Sequence, residues 1–329
     1  MPVAVRSFAK INIGLEIGSR RQDGFHALRT LYQTVAVHDR LRLDVVRGTG
    51  IEIRSKNKRI PEDESNTCWR MAERAMKALK LRGRVVIQVE KALPLQGGLG
   101  GASSNAVATL LALERLAEIQ LAPEERLRLA ADLGSDLPLF LIGGTVLGVG
   151  RGEEVYPMPD LPALDCVIVT PEVGISTPQA FADWDARKQG AGSRRQEAEK
   201  LTAENGSDRL NWFSRAVYAW LSASSTGVPA QESGNRAEAL LLDLVRAGIE
   251  NDFEQVVFPQ HPELRAVKRD LEREGAAYAS LSGSGSAVYG LFKSQDQAKK
   301  AATRLSAAGV SAIAAKTLTR REYWSRLFE

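Results

Sequence analysis

Pro94-Leu-Gln-Gly-Gly-Leu-Gly-Gly-Ala-Ser-Ser-Asn105 sets four glycines within positions 97 to 101, directly ahead of two hydroxyls and an amide. Glycine has no Cβ and tolerates positive φ, so such a loop lets backbone approach a polyanion closely. Successive N–H groups can then point into one concavity, and a following helix adds the positive end of its dipole. The flanks fit that use. Val85, Ile87 and Val89 alternate with Val86, Gln88 and Glu90, the pattern of a half-buried strand. After Asn105 the run AVATLLAL is apolar on every side, as a buried helix is. Strand, glycine loop and buried helix together describe a phosphate cradle.

Two other glycine loops are excluded by letter. A Walker loop needs Gly-x-x-x-x-Gly-Lys-Ser/Thr, and no lysine lies between Gly97 and Asn105. A dinucleotide fingerprint needs Gly-x-Gly-x-x-Gly, but from Gly98 and Gly100 the third position falls on Ser103. The remaining alternative is a glycine-rich turn without a ligand.

Composition bounds the class. A chain of 329 residues favours two domains over one, each able to bury a core. No apolar run approaches the length of a membrane span, and MPVAVRSFAK lacks the apolar stretch of a signal peptide. Cys68 and Cys166 lack metal-ligand spacing, which fits a reducing cytoplasm. The net charge of +4 is small, and bases and acids are interspersed. That suits phosphorylated ligands better than nucleic acid, for which no motif is present.

Along the chain, Val3 and Val5 begin a strand. Ile11, Ile13, Leu15 and Ile17 then alternate with Lys10, Asn12, Gly14 and Glu16, and Asp23-Gly24 marks a turn. Helices are predicted around Thr67–Leu79 and from Pro123 to Gly134, and a strand with a glycine-rich turn over Leu139–Val149. Clustered prolines near Pro157–Pro162 suggest a boundary before a buried strand at Asp165–Thr170. Residues 187–209 and 222–236 are polar and read as loosely ordered insertions. Between them Trp212, Phe213, Val217, Tyr218, Trp220 and Leu221 form an amphipathic helix expected to pack on the second domain. The aromatic tail Arg320–Glu329 receives no functional reading.

Several side chains could carry chemistry, each with a plainer alternative. Lys10 and Asn12 share one strand face, opposite Ile11 and Ile13, where such residues are usually solvated. Asp136, in Gly134-Ser-Asp-Leu-Pro138, could simply cap a following turn. His26 could be structural, and Ser282-Gly283-Ser284-Gly285 a hairpin turn.

The glycine loop resembles the PxGxGLGSSA-type loop of the GHMP kinases, and it is nearest to a branch with the loop PxGGGLGGGSSNA. Gln96 and Ala102 stand where that branch has glycine. Further blocks follow in the same order. Ala9-Lys-Ile-Asn-Ile-Gly-Leu15 with Asp23-Gly-Phe-His26 is similar to AKxNLxLxV…RxDGYH. Gly134–Pro138 is similar to GADVP, and Pro171–Phe181 to P…ISTxxAF. Asn251-Asp-Phe-Glu254 is similar to NDLE, and Leu281-Ser-Gly-Ser-Gly-Ser286 to MSGSGxxxF.

The resemblance implies an α+β chain with a ribosomal protein S5 domain 2-like domain over residues 1–160. A ferredoxin-like domain would follow over 161–329, with the active site in the cleft between them. It implies ATP as co-substrate, Mg²⁺ with unnamed ligands, and Lys10 and Asp136 as the catalytic pair. Contacts to ATP would come from Asn66, Lys91, Pro94, Leu95, Gln96, Gly97, Gly98, Leu99, Gly100, Gly101, Ala102, Ser103 and Ser104, with Ser104 able to touch the metal. Asn12, Phe25, His26, Thr177 and Phe181 would hold a small molecule carrying a cytidine diphosphate group. In this reading Phe25, in place of tyrosine, stacks on the base, Phe181 covers its other face and His26 hydrogen-bonds it. Ser282, Gly283 and Gly285 would back the phosphate site. The branch serves the non-mevalonate route to isoprenoids, with neither nucleic acid nor membrane as partner. Two rivals stay open: a GHMP kinase for another alcohol, such as homoserine or a sugar, and a non-catalytic ATP-binding sensor. The first lacks a base to hold, and the second should have lost Lys10 or Asp136.

Overall fold

The computed structural model describes residues 1–95, 97–192, 210, 211, 213, 214, 217 and 248–329. Its first element is a long antiparallel pair, β1 (Val3–Arg20) and β2 (His26–Val46). Register shifts after Phe8, Asn12 and Ile17 bend the pair, as inserted residues do in a ladder. On its other edge β2 is shared. Thr30–Gln33 pair with β5 (Thr145–Val149), and Arg40–Val46 pair with β4 (Arg84–Glu90). β3 (Gly50–Ser55) runs parallel to β4, with helix α1 (Thr67–Ala78) as the crossover that parallel pairing requires. β6 (Glu154–Pro157) closes a six-stranded sheet.

The second sheet is antiparallel and four-stranded: β10 (Ala312–Lys316), β7 (Asp165–Val169), β9 (Val288–Phe292) and β8 (Tyr278–Leu281), in that spatial order. Helices α4 (Thr177–Gly192), α5 (Glu254–Gln260) and α6 (Pro262–Arg273) come between β7 and β8, and α7 (Gln295–Ala307) between β9 and β10. With the first strand beside the third and fourth, this is the ferredoxin-like arrangement.

Three apolar clusters hold the molecule together. One joins the first sheet to α1, α2 (Gly101–Ala117) and α3 (Pro123–Ala131). Another places Ile11, Ile13, Leu31 and Val35 against Cys166, Ile168, Tyr289 and Leu291, between the two sheets. The last lies under the helices of the second sheet. Strand β1 therefore has cover on both faces, and Lys10 and Asn12 are buried, not solvated: they are 3% and 1% exposed.

Other expectations change in detail. The Leu139–Val149 strand begins only at Thr145, because Pro138–Leu141 forms a 3₁₀ turn with Phe140 N–H on Leu137 O and Ile142 N–H on Leu139 O. Residues 187–192 belong to α4 and not to an insertion; 193–209 and 222–236 lie outside the described residues. Of the aromatic helix, Phe213 and Val217 are described and bury themselves in the cluster between the sheets; Trp212, Tyr218, Trp220 and Leu221 lie outside the described residues. The tail forms α8 (Arg320–Leu327), capped by Thr319 and Glu322. Tyr323 and Leu327 enter the first cluster, and Tyr323 donates its hydroxyl to Phe140 O at 2.7 Å.

Candidate active site

The glycine loop connects β4 to α2, as strand and helix patterning predicts. Gly98 and Gly100 have φ of +78° and +68°, where only glycine is comfortable, and Gly100 is the N-terminal cap of α2. Gly101 is already helical, so its need for glycine is spatial: a Cβ there would lie 2.9 Å from Lys91 Nζ. The helix behind is buried from Ser104 to Glu114, as its apolar run requires.

The loop is fastened from three sides. Lys10 N–H on β1 donates to Leu99 O at 3.0 Å. The second glycine loop packs directly on the first: Ser282 Oγ donates to Gly98 O at 3.0 Å and Ala287 N–H to Gly97 O at 2.9 Å. Asn251 in turn donates to the carbonyls of Leu281 and Gly283, each at 2.8 Å. On the far side the fully buried Asp39 carboxylate accepts from Lys91, from the N–H groups of Ala92 and Leu93, and from Asn105 Nδ2. Four donors thus converge on one carboxylate and leave it no unpaired charge, the condition under which a buried carboxylate is tolerated.

Two cavities meet at this loop. One, of 440 Å³, is lined by Asn66, Lys91, Pro94, Leu95, Gly97, Gly98, Leu99, Gly100, Gly101, Ala102 and Ser103. Asn66 also caps α1, its side chain accepting from Cys68 N–H. The other, of 640 Å³, is lined by Lys10, Asn12, Phe25, His26, Asp136, Thr177, Phe181 and Gly283. Gly98, Gly100, Ser103 and Thr177 belong to both walls. Ser104 lines neither; its hydroxyl accepts from Ser7 Oγ at 2.7 Å in the interior. Gln96 lies outside the described residues.

At the base of the larger cavity, Lys10 Nζ donates to Asn12 Oδ1 at 2.6 Å and lies 3.3 Å from Asp136 Oδ2. Asn12 Nδ2 donates to Thr30 Oγ1, which donates to Gly14 O, so both amide ends of Asn12 are fixed. Asp136 caps nothing: the 3₁₀ turn after it has Leu137 at its cap and no side-chain bond. The carboxylate instead faces Lys10 and accepts from Tyr32 Oη at 3.0 Å. Gly100 is also what makes room for Lys10, since a Cβ there would stand 3.0 Å from the lysine Cγ.

At the opposite end His26 is buried, its ring parallel to Phe181 with centroids 5.4 Å apart. Its Nδ1 faces Gly18 O at 3.3 Å and its Nε2 faces Asp185 at 3.1 Å, so both ring nitrogens have protein partners. Phe25 is exposed at the rim, with the Arg151 guanidinium over its ring at 5.1 Å. Thr177 Oγ1 shares a hydrogen with Ser284 Oγ at 2.7 Å, joining α4 to the second glycine loop.

Sequence reasoning did not single out Tyr32, Asp39, Arg151 or Asp185. Only Tyr32 had a usable signal: its position opposite Asn12 follows once the β1–β2 register is known. The arrangement can bind a polyphosphate on backbone N–H groups and hold a hydroxyl-bearing ligand next door, with a lysine and a carboxylate at the junction. Among the described residues no three His, Cys, Asp or Glu side chains converge as a metal cage, and no helix is long and apolar enough to cross a membrane.

Comparison with known proteins gives the family. Residues 66–144 match the GHMP kinases N terminal domain and residues 236–311 the GHMP kinases C terminal family. The chain is 38% identical over 294 residues to the 4-diphosphocytidyl-2-C-methyl-D-erythritol kinase of Solibacter usitatus (strain Ellin6076), covering 89% of this chain and 82% of that one. It is 34% identical over 312 residues to the enzyme of the same name from Moorella thermoacetica, covering 95% and 98%. It also superimposes on a crystal structure of 4-(cytidine 5'-diphospho)-2C-methyl-D-erythritol kinase with a TM-score of 0.68 at 30% identity, covering 95% and 98%.

Proposed function

From the premise that the chain belongs to the GHMP kinases, among relatives named 4-diphosphocytidyl-2-C-methyl-D-erythritol kinase, we propose that it moves the γ-phosphoryl group of ATP onto the 2-hydroxyl of that cytidyl substrate. The observation that carries this reading is the common wall of the two cavities. ATP in the 440 Å³ cavity would lay its phosphates along Gly97–Ser103, and an alcohol in the 640 Å³ cavity would sit beside Lys10 and Asp136.

In the transfer the alcohol oxygen forms a bond to the γ-phosphorus while the bond to the β,γ-bridging oxygen breaks. ADP leaves with that electron pair, and the hydroxyl proton passes to Asp136. The Lys10 ammonium, 3.3 Å from Asp136, offsets the negative charge developing on the alcohol oxygen. The acceptor is a crowded tertiary alcohol, so positioning by the buried Asn12–Thr30 chain matters as much as basicity. Mg²⁺ would travel with the ATP phosphates; the described residues supply no cage for it, and Ser104, bonded to Ser7, is removed from both cavities.

We assign the cytosine to the end formed by Phe25, His26 and Phe181. A base edge there would take the place of the Asp185 carboxylate on His26 Nε2, since Asp185 is 31% exposed while the Gly18 carbonyl belongs to β1. Two buried, unpaired cysteines support a cytoplasmic setting. The deciding experiment is an ADP-release assay on the cytidyl substrate beside homoserine, galactose and mevalonate. Turnover confined to the cytidyl substrate is expected, and comparable turnover on any of the others refutes the assignment.

A further inference from the structure

Tyr32 stands on β2 directly opposite Asn12 of β1, on the face from which Lys10 also projects. It is 2% exposed, and its hydroxyl donates to Asp136 Oδ1 at 3.0 Å. Lys10 Nζ approaches the other oxygen, Oδ2, at 3.3 Å and lies 5.6 Å from the Tyr32 ring centroid. The two carboxylate oxygens therefore face different partners, a neutral donor and a cation.

The ring is held in place by two glycines. A Cβ at Gly148 would come 2.5 Å from Tyr32 Cε2, and one at Gly152 would come 2.7 Å from its hydroxyl. Asp136, in contrast, precedes a short 3₁₀ turn whose cap takes no side-chain bond, and its side chain is 36% exposed. Burial, and then the Asp136 carboxylate, hold the Tyr32 hydroxyl well above the usual phenol range, so it stays a proton donor in this pair at every working pH.

We propose that Tyr32 is a positioning residue for phosphoryl transfer: by occupying Oδ1 of Asp136 it presents Oδ2, the oxygen beside Lys10, to the substrate hydroxyl. The proposal rests on the reading of Asp136 as the proton acceptor. Tyr32→Phe is the clean probe, because it keeps the ring and its packing and removes only the hydrogen bond.

The test measures ADP release and thermal unfolding for Tyr32→Phe, Asp136→Asn and the double variant. Tyr32→Phe should lower kcat roughly 10- to 100-fold, as loss of a hydrogen bond to a charged group does, at unchanged Tm. The KM values for ATP and for the alcohol should stay within about twofold of wild type. In the Asp136→Asn background the same change should cost no further turnover, because it acts through the carboxylate already removed. Wild-type kcat in Tyr32→Phe, or an equal fold-loss in both backgrounds, overturns the proposal. Wild-type turnover in Asp136→Asn alone is a separate result that overturns the Asp136 reading, and the Tyr32 role with it.

Discussion

Ser282 donates its hydroxyl to the carbonyl of Gly98 at 3.0 Å, tying together two glycine loops 184 residues apart. The contact is possible only because neither loop carries a side chain at its closest approach. A Cβ on Gly98 would overlap Ser282 O, and one on Gly285 would overlap the backbone of Gly97 and Gly98. The two loops thus meet backbone to backbone, joining the two halves of the chain beside the cavities.

Gly98→Ala should weaken ATP binding, because positive φ and the Ser282 carbonyl both resist the methyl group. Gly101→Val should weaken it for a different reason, by displacing the Lys91 ammonium. Binding of the alcohol substrate should change less in both variants. Calorimetry showing unchanged ATP affinity in both folded variants would refute the phosphate-cradle reading.

Asp136→Asn should leave ATP binding nearly intact and cut turnover by roughly 10²–10⁴-fold, the worth of a positioned acid–base group. The carboxylate meets Lys10 and Tyr32 and no helix end, so its removal should have little effect on the fold. A variant that keeps more than about a third of wild-type turnover excludes the proton-acceptor role.

His26→Ala should weaken the cytidyl substrate by about 1–3 kcal/mol, through unpaired polar groups at the base, with little change for ATP. Binding remote from the reacting hydroxyl also serves to orient it. 2-C-methyl-D-erythritol 4-phosphate, which lacks the cytidine, should therefore lose turnover as well as affinity. Equal rates on truncated and full substrates would leave no place for a cytidine pocket.

Cys68 and Cys166 should resist thiol reagents in the native protein at about pH 8 and react on denaturation. Burial pushes each thiol from 9.0 up to about 12. The folded state then keeps protons that the unfolded chain gives up, so stability should fall as pH rises from 9.0 towards 12. Stoichiometric labelling of the folded protein, measured by mass, contradicts the buried assignment.

Much of the site was legible before folding was considered. Gly97–Gly101, the strand before it and the all-apolar helix after it are neighbours in sequence, and their geometry follows from local steric freedom and periodicity. The 3₁₀ turn at Pro138–Leu141 was missed because a short apolar run has no period to separate turn from strand. The insertion boundary at 187 was misplaced because α4 carries polar residues past that point.

By itself the sequence determined a strand–glycine loop–helix cradle, two α+β halves and a set of ordered blocks similar to the GHMP kinases. Only the tertiary structure decided what those blocks do to one another. Lys10 and Asn12 are buried because the helices cover one face of β1 and the second sheet covers the other. Asp39 clamps the start of the loop from 52 to 66 residues away, and Tyr32 reaches Asp136 across 104 residues. Such pairs depend on sheet register and on packing between distant segments, and local periodicity and propensity carry no record of either.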